Sequence, residues 1–177
     1  MRLLGIIPAR GGSKGVPGKN IKSLGGKPLL QYTWETAKQS NVFSKIIVSS
    51  DNEDIINVSK KLGIEVPFRR PQSLAKDNSG SLGVVKHALE YFIECGEVYD
   101  AVCILQPTTP FRTIKLITEC FMSFKTKNVD SIVSVREVPH QFHPNWVFEE
   151  TELGYLKKVI KEPLILLMKD MLTYRWS

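Results

Sequence analysis

The residues best suited to chemistry cluster between positions 9 and 20, where the chain reads Ala9-Arg10-Gly11-Gly12-Ser13-Lys14-Gly15-Val16-Pro17-Gly18-Lys19-Asn20. The glycines in this run are expected to let the backbone reach φ > 0 and turn successive N–H groups toward an anion with no Cβ in the way. Arg10 offers a planar fork of donors for phosphate oxygens, while Lys14 and Lys19 act as point charges. Six cations (Arg2, Arg10, Lys14, Lys19, Lys22 and Lys27) fall within residues 1–27, and the first carboxylate is Glu35. From residue 28 onward Lys and Arg balance Asp and Glu, so the whole formal charge of +6 comes from this segment. A duplex-binding surface would spread its excess over a face or a helix, with aromatic residues interleaved. A local excess on a glycine-rich loop points instead to a compact anion, most simply a phosphate chain. Nucleic acid is not an expected partner.

The loop matches neither familiar nucleotide pattern. A Walker A sequence would need glycine at Ser13 and a hydroxyl at Asn20, and no G-x-G-x-x-G is present. Other polar groups recur further along. Gln106 closes an apolar run and opens the double-proline turn Pro107-Thr108-Thr109-Pro110, so its amide could read a hydroxylated substrate or simply cap a strand end. Arg69-Arg70 is a basic pair that could reach a base or phosphate, or lie on the surface. In Asp77-Asn78-Ser79-Gly80-Ser81, Ser79 or Ser81 is expected to cap a helix. His140 and His143 resemble a metal pair by residue type only, with no third ligand nearby. No nucleophile elbow or Ser-His-Asp spacing appears.

These loops need a scaffold, and the apolar pattern supplies one. Short continuous runs at Leu3–Pro8, Lys45–Ser50, Ala101–Gln106 and Asp130–Val135 read as strands covered on both faces. Helical patterns at Pro28–Gln39, Glu53–Leu62, Ser81–Glu94 and Thr113–Phe124 lie between or beside them. The alternation predicts an α/β fold: a mostly parallel sheet with helices on both faces. Right-handed crossovers then gather the strands' C-terminal ends on one edge, where open α/β sheets bind ligands. The loops at 9–22, 106–112 and 136–146 all follow strand ends.

Composition agrees with this reading. The chain has 177 residues, 42% hydrophobic and 24% charged, which excludes wholesale disorder. No apolar run approaches the ~20 residues of a membrane span, so no membrane partner is expected. The start, ending at Pro8 and a basic loop, reads as a buried strand rather than a secretory signal. Cys95, Cys103 and Cys120 are odd in number and form no C-x-x-C, which fits a reduced, cytoplasmic protein.

The run Ile6-Ile7-Pro8-Ala9 through Asn20 resembles the nucleotide-binding signature of the acylneuraminate cytidylyltransferases, the CMP-sialic acid synthetases. Similar segments follow in order: Ile47-Val48-Ser49-Ser50-Asp51, Arg70-Pro71, Asp77 through Val85, Leu105 through Arg112, and Ser134 through His140. The resemblance covers residues 1 to about 150. It implies a Rossmann-like nucleotide-diphospho-sugar transferase fold, with a nucleotidyltransferase core at 1–150 and an atypical, truncated tail at 151–177. It implies transfer of CMP from CTP to a nine-carbon 2-keto acid sugar, with release of pyrophosphate, assistance by Mg²⁺ and a homodimeric state. By the same resemblance Arg10 and Lys19 are catalytic, and Arg10, Gly11, Gly12, Ser13, Lys14, Asn20, Arg70 and Ser81 bind the nucleotide. Gln106 would touch the acceptor sugar. The aspartates that hold magnesium late in family members have no counterpart here, so no metal ligand is assigned. Two alternatives stay open: a fragment that binds CTP without turnover, and a related nucleotidyltransferase using another nucleotide or sugar.

Overall fold

The computed structural model describes residues 1–158, apart from 14, 77, 78, 128, 136, 138, 140, 141 and 143–146. Expectations for Lys14, Asp77, Asn78, His140 and His143, and for the tail beyond position 158, fall outside the described residues. The chain divides into two compact units, Met1–Met122 and Ser123–Ser177.

The first unit is built on strand β1 (Leu3–Pro8). Leu4, Ile6 and Ile7 are completely buried, and their alternation sends them to opposite sides of the sheet. Helix α3 (Ser81–Glu94) covers one face: its Val84, Ala88 and Phe92, spaced four apart, pack with Leu4, Ile6 and Ile47. The other face is covered by α1 (Leu29–Ser40), α2 (Glu53–Lys61) and α4 (Ile114–Lys127). Leu30, Ala37, Ile55 and Ile117 from these helices pack on Ile7, Val48 and Leu105. Burial of each such aliphatic side chain contributes about 1.5–3 kcal/mol. The expected two-sided covering is therefore present, and it explains why the strands read as continuous apolar runs.

Strands β4 (Lys45–Ser49) and β5 (Ala101–Ile104) flank β1 in the order β4-β1-β5. Both pair with β1 in parallel, Ile6 lying between Ile47 and Ile104. The chain leaves β1 for one side of the sheet and later crosses to the other. The C-terminal end of β1 is thus the point where the winding reverses, and the crevice for ligands of such sheets opens there. The expected helices and the first three strands match the observed ones to within a few residues at their ends.

Two features depart from the sequence reading. Residues 130–135 form no strand among the described residues, and Ile132, Val133 and Val135 are exposed. A short β-branched run is a strand only when a neighbour pairs with it, and no described neighbour does. Two small antiparallel hairpins appear that were not expected. One joins β2 (Ser23–Leu24) to β3 (Lys27–Pro28), directly ahead of α1. The other, within the second unit, joins β6 (Phe148–Glu150) to β7 (Leu156–Lys158) and carries a Lys157–Glu149 ion pair of 2.8 Å.

Candidate functional site

Beyond Pro8 the chain hydrogen-bonds once more to the sheet, Ala9 N–H donating to the Ser49 carbonyl at 3.0 Å, and then leaves it as the basic loop. Three contacts shape this loop. Gly11 N–H donates to Asp51 Oδ1 at 3.1 Å, Asn20 Nδ2 donates to the Arg10 carbonyl at 3.0 Å, and Ser13 N–H donates to the Gly11 carbonyl at 2.9 Å. Asp51 and Asn20 are 7% and 5% exposed, so losing either part-buried brace would leave a largely buried side chain unsatisfied.

The glycines serve the loop differently from the expectation. Of Gly11, Gly12, Gly15 and Gly18, only Gly18 takes a positive φ, at 62°. It precedes a single 3-10 turn at Lys19–Ile21, and its carbonyl accepts from Ile21 N–H and Lys22 N–H, both at 3.0 Å. Gly11 is required by close approach, because a Cβ there would come within 2.8 Å of Asn52 Cβ. Asn52 cannot yield easily, since its side chain caps α2 by accepting from Ile55 N–H at 3.0 Å.

The Arg69-Arg70 pair separates. Arg69 is exposed; its Nε donates to the Asp51 carbonyl at 3.1 Å and its Nη1 lies 3.6 Å from Glu53 Oε2. Arg70 is 4% exposed, its Nη2 donates to the Ser49 carbonyl at 2.9 Å, and its Nε is buried without a hydrogen-bond partner. Burial pushes the Arg70 guanidinium below the ordinary arginine range; neighbouring Asp51 opposes this shift, and Arg10 adds to it.

The expected serine cap is not made. Gly80 occupies the N-cap of α3 without a side-chain hydrogen bond, and Ser79 Oγ donates instead to the Ser73 carbonyl at 3.0 Å. Ser81 is the first residue of the helix and its hydroxyl is not spent on capping. The loop after β5 carries Gln106, whose carbonyl accepts from Thr109 N–H at 3.3 Å and from Arg112 Nη2 at 3.4 Å, while Pro107 is fully buried. The Gln106 side chain is left exposed above the strand end.

These pieces enclose a cavity of about 150 Å³ at the C-terminal end of β1. Arg10, Ser13, Lys19, Asn20, Arg70, Ser81 and Gln106 all line it, so most of the residues singled out from sequence meet in one place. Gly11 and Gly12 line a more open neighbouring cavity of about 470 Å³, which shares Arg10 and Ser13 with the first. No carboxylate is among the described residues lining either cavity. The sequence reading gave Asp51 no role beyond its place in the run Ile47–Asp51, and it passed over Asn52 and Lys76. Asp51 and Asn52 hold the loop from below, and Lys76 lines the second cavity beside Ala75, whose carbonyl accepts from Arg10 Nη1 at 3.4 Å.

A cationic glycine loop at the reversal point of a parallel sheet does not by itself distinguish one nucleotide-binding family from another. Residues 4–159 match the family model described as cytidylyltransferase. The chain belongs to the cytidylyltransferase family. The pseudaminic acid cytidylyltransferase of Campylobacter jejuni is 35% identical over 156 residues, covering 88% of this chain and 67% of the relative. The CMP-N,N'-diacetyllegionaminic acid synthase of Legionella pneumophila is 39% identical over 158 residues, covering 89% and 67% respectively. Among solved structures, CMP:2-keto-3-deoxy-manno-octonic acid synthetase complexed with CTP superposes with a TM-score of 0.60 at 20% identity, over 72% of this chain. That likeness shows the fold. This cytidylyltransferase-family chain covers 49% of the length of that solved chain.

The described residues contain no group of three His, Cys, Asp or Glu side chains able to hold a metal ion, and the Asp51 carboxylate is engaged by Gly11 N–H. No helix among them is long and apolar enough to cross a membrane.

Proposed function

We propose that this chain binds CTP across the two connected cavities and transfers CMP to a nine-carbon 2-keto acid sugar, releasing pyrophosphate. The observation that carries this reading is the convergence of Arg10, Ser13, Lys19, Asn20, Arg70, Ser81 and Gln106 on one cavity lacking any described carboxylate. The names of the C. jejuni and L. pneumophila relatives, which specify pseudaminic and N,N'-diacetyllegionaminic acid, support an acceptor of the nonulosonic class.

In such a transfer a sugar hydroxyl attacks the α-phosphorus of CTP and the bond to the β-phosphate oxygen breaks. Negative charge then builds on the departing pyrophosphate. Little covalent chemistry is asked of the protein, and rate comes from positioning and electrostatic stabilisation. Arg10, which lines both cavities, is placed to hold phosphate oxygens as the charge grows. Lys19 serves the α-phosphate from the first cavity, and Gly12, Ser13 and Lys14 belong to the same phosphate loop. Asn20 contributes by fixing the Arg10 carbonyl, and Gly11 by its fit over Asn52. Arg70 and Ser81 take the cytosine, whose O2 is an acceptor suited to a guanidinium or hydroxyl donor. Gln106 meets the acceptor sugar. Mg²⁺ belongs to this proposal as a companion of the CTP phosphates, without a described protein seat, and no step is assigned to it.

The test is pyrophosphate release from CTP with pseudaminic, legionaminic and N-acetylneuraminic acid supplied separately. Release with one of these acids and not with simple hexoses supports the reading. CTP binding with no release from any acceptor would reduce it to nucleotide capture.

A further inference from the structure

The first cavity has two sides from distant parts of the chain: Lys19 and Asn20 from the phosphate loop, Gln106 and Thr108 from the loop after β5. The phosphate side is firmly tied. Lys19–Ile21 forms its 3-10 turn, the β2–β3 hairpin follows, and Leu29 N–H closes that hairpin by donating to the Lys22 carbonyl at 3.1 Å. Tyr32, half-buried on α1, donates through Oη to the Leu24 carbonyl of the same hairpin. The other side is loosely built. Pro107 and Pro110 have no N–H to give, and the turn bonds within 106–112 are long. Thr109 N–H reaches the Gln106 carbonyl at 3.3 Å, and Arg112 N–H reaches the Thr109 carbonyl at 3.4 Å. Phe111 lies at the end of this loop and is 78% exposed, so burial does not account for an aromatic residue there. Its ring meets the Tyr32 ring edge-on, with centroids 6.3 Å apart and planes at 67°, within the range of a favourable aromatic pair.

We infer that Phe111 is a positioning residue for the acceptor: its edge contact with Tyr32 ties the loop bearing Gln106 and Thr108 to the hairpin that follows the phosphate loop, and so sets the spacing across the cavity. The inference rests on the transfer reading above and adds what holds the acceptor side at its working distance. Transfer is steep in that distance, because the attacking hydroxyl and the phosphorus must meet in one narrow geometry. Phe111 is not among the residues lining either cavity, so it acts through Gln106 and Thr108.

The experiment compares the 177-residue chain with Phe111→Ala and Phe111→Tyr. It uses saturating CTP and whichever of pseudaminic, legionaminic or N-acetylneuraminic acid the unmodified chain turns over. Phe111→Ala should lower kcat/KM for the acceptor about fivefold, the worth of one aromatic pair, while calorimetric CTP affinity stays within about twofold. Phe111→Tyr keeps the ring and should restore kcat/KM. In a Tyr32→Leu background, where the contact is already gone, Phe111→Ala should cost nothing further. An equal loss of CTP affinity, an unchanged kcat/KM in Phe111→Ala, or a full second loss in the Tyr32→Leu background would overturn the inference. If the unmodified chain turns over no acceptor, the transfer reading fails, and tryptic cleavage after Arg112 decides the loop claim separately. Phe111→Ala should then be cut there about fivefold faster, with other sites unchanged and Phe111→Tyr cut at the unmodified rate. Equal rates at Arg112 in all three chains, or a uniform rise at every site, would contradict the tie between Phe111 and Tyr32.

Discussion

Gly11 rides directly over Asn52: a Cβ on Gly11 would lie 2.8 Å from Asn52 Cβ and 2.9 Å from its Nδ2. The phosphate loop and the start of α2 are therefore packed to contact at one point. The same loop residue is tied to the neighbouring Asp51 by its N–H. Two consecutive residues at the end of β4 thus set the height and the angle at which the loop leaves the sheet.

Gly11→Ala should destabilise the first unit by about 1–3 kcal/mol, the usual cost of forcing extra atoms into a packed contact. Gly12→Ala is the matched control, since nothing lies within 4 Å of a Cβ there. Urea unfolding of both variants checks this, with a clear loss of midpoint expected for Gly11→Ala alone. Equal midpoints would mean the loop lifts off Asn52 without penalty.

Arg10→Ala and Lys19→Ala should each weaken CTP binding about tenfold or more, the value of a charge-assisted hydrogen bond to phosphate. Arg112→Ala should cost far less. Arg112 is a partly buried neighbour of Cys103 that reaches the Gln106 carbonyl and does not line the cavity. Calorimetric titration separates the cases, and equal losses from all three would contradict the assignment.

Lys76 lines the second cavity with Gly11 and Gly12 and not the first. If the β- and γ-phosphates extend there, Lys76→Met should weaken CTP by up to about fivefold, as for an exposed charge contact, and leave CMP unchanged. A parallel loss for CMP would place Lys76 elsewhere in the binding mode.

At the opposite end of the sheet, Lys45 Nζ meets Glu97 Oε1 at 2.8 Å, and Tyr99 Oη donates to Glu97 Oε2 at 2.7 Å. The Lys45 hydrogen bond, followed by that from Tyr99, holds the Glu97 carboxyl below its ordinary 4.5. The same bond to Glu97 holds Lys45 above 10.5. A depressed carboxyl contributes stability that is complete above its unfolded value and lost as pH falls through the folded one. A raised amine contributes stability that is complete below its unfolded value and lost as pH rises through the folded one. The difference in Tm between the unmodified chain and Glu97→Gln should therefore be constant between about pH 6 and 9. It should shrink on acidification below 4.5 and again above 10.5. A difference that persisted unchanged at pH 3 would exclude the charge of Glu97 as its source.

Much of the scaffold was legible because burial on both faces leaves a continuous apolar signature, as in Leu3–Pro8, and because α3 repeats its core residues every fourth position. The run at 130–135 shares the β-branched residues of a strand but carries Asp130, Ser131 and Ser134, and it is not a strand, since pairing depends on a neighbour that local sequence does not specify. Arg10 and Lys19 were legible by type and Arg70, Ser81 and Gln106 by the family resemblance, and all five line one cavity. What holds them was not. Asp51 and Asn52 look like an ordinary strand end and helix cap, and their role over Gly11 exists only once β1 and β4 are side by side. The same applies to the glycines, where one needs its backbone angle and another needs its missing side chain. Ser79 or Ser81 was expected to cap α3, and the resemblance also gave Ser81 to the nucleotide; Gly80 takes the cap position and Ser81 is the first helical residue, lining the cavity.

Calorimetric titration of the folded 177-residue chain with CTP decides whether the Arg10–Arg70 cavity is a cytidine nucleotide site. ATP serves as the control, and each titration is run with and without Mg²⁺. Saturable CTP binding with ATP at least about tenfold weaker is the expected result, because Arg70 and Ser81 offer donors to the cytosine O2, a carbonyl that adenine lacks. Equal affinity for ATP, or no CTP binding by a chain shown to be folded, would contradict it.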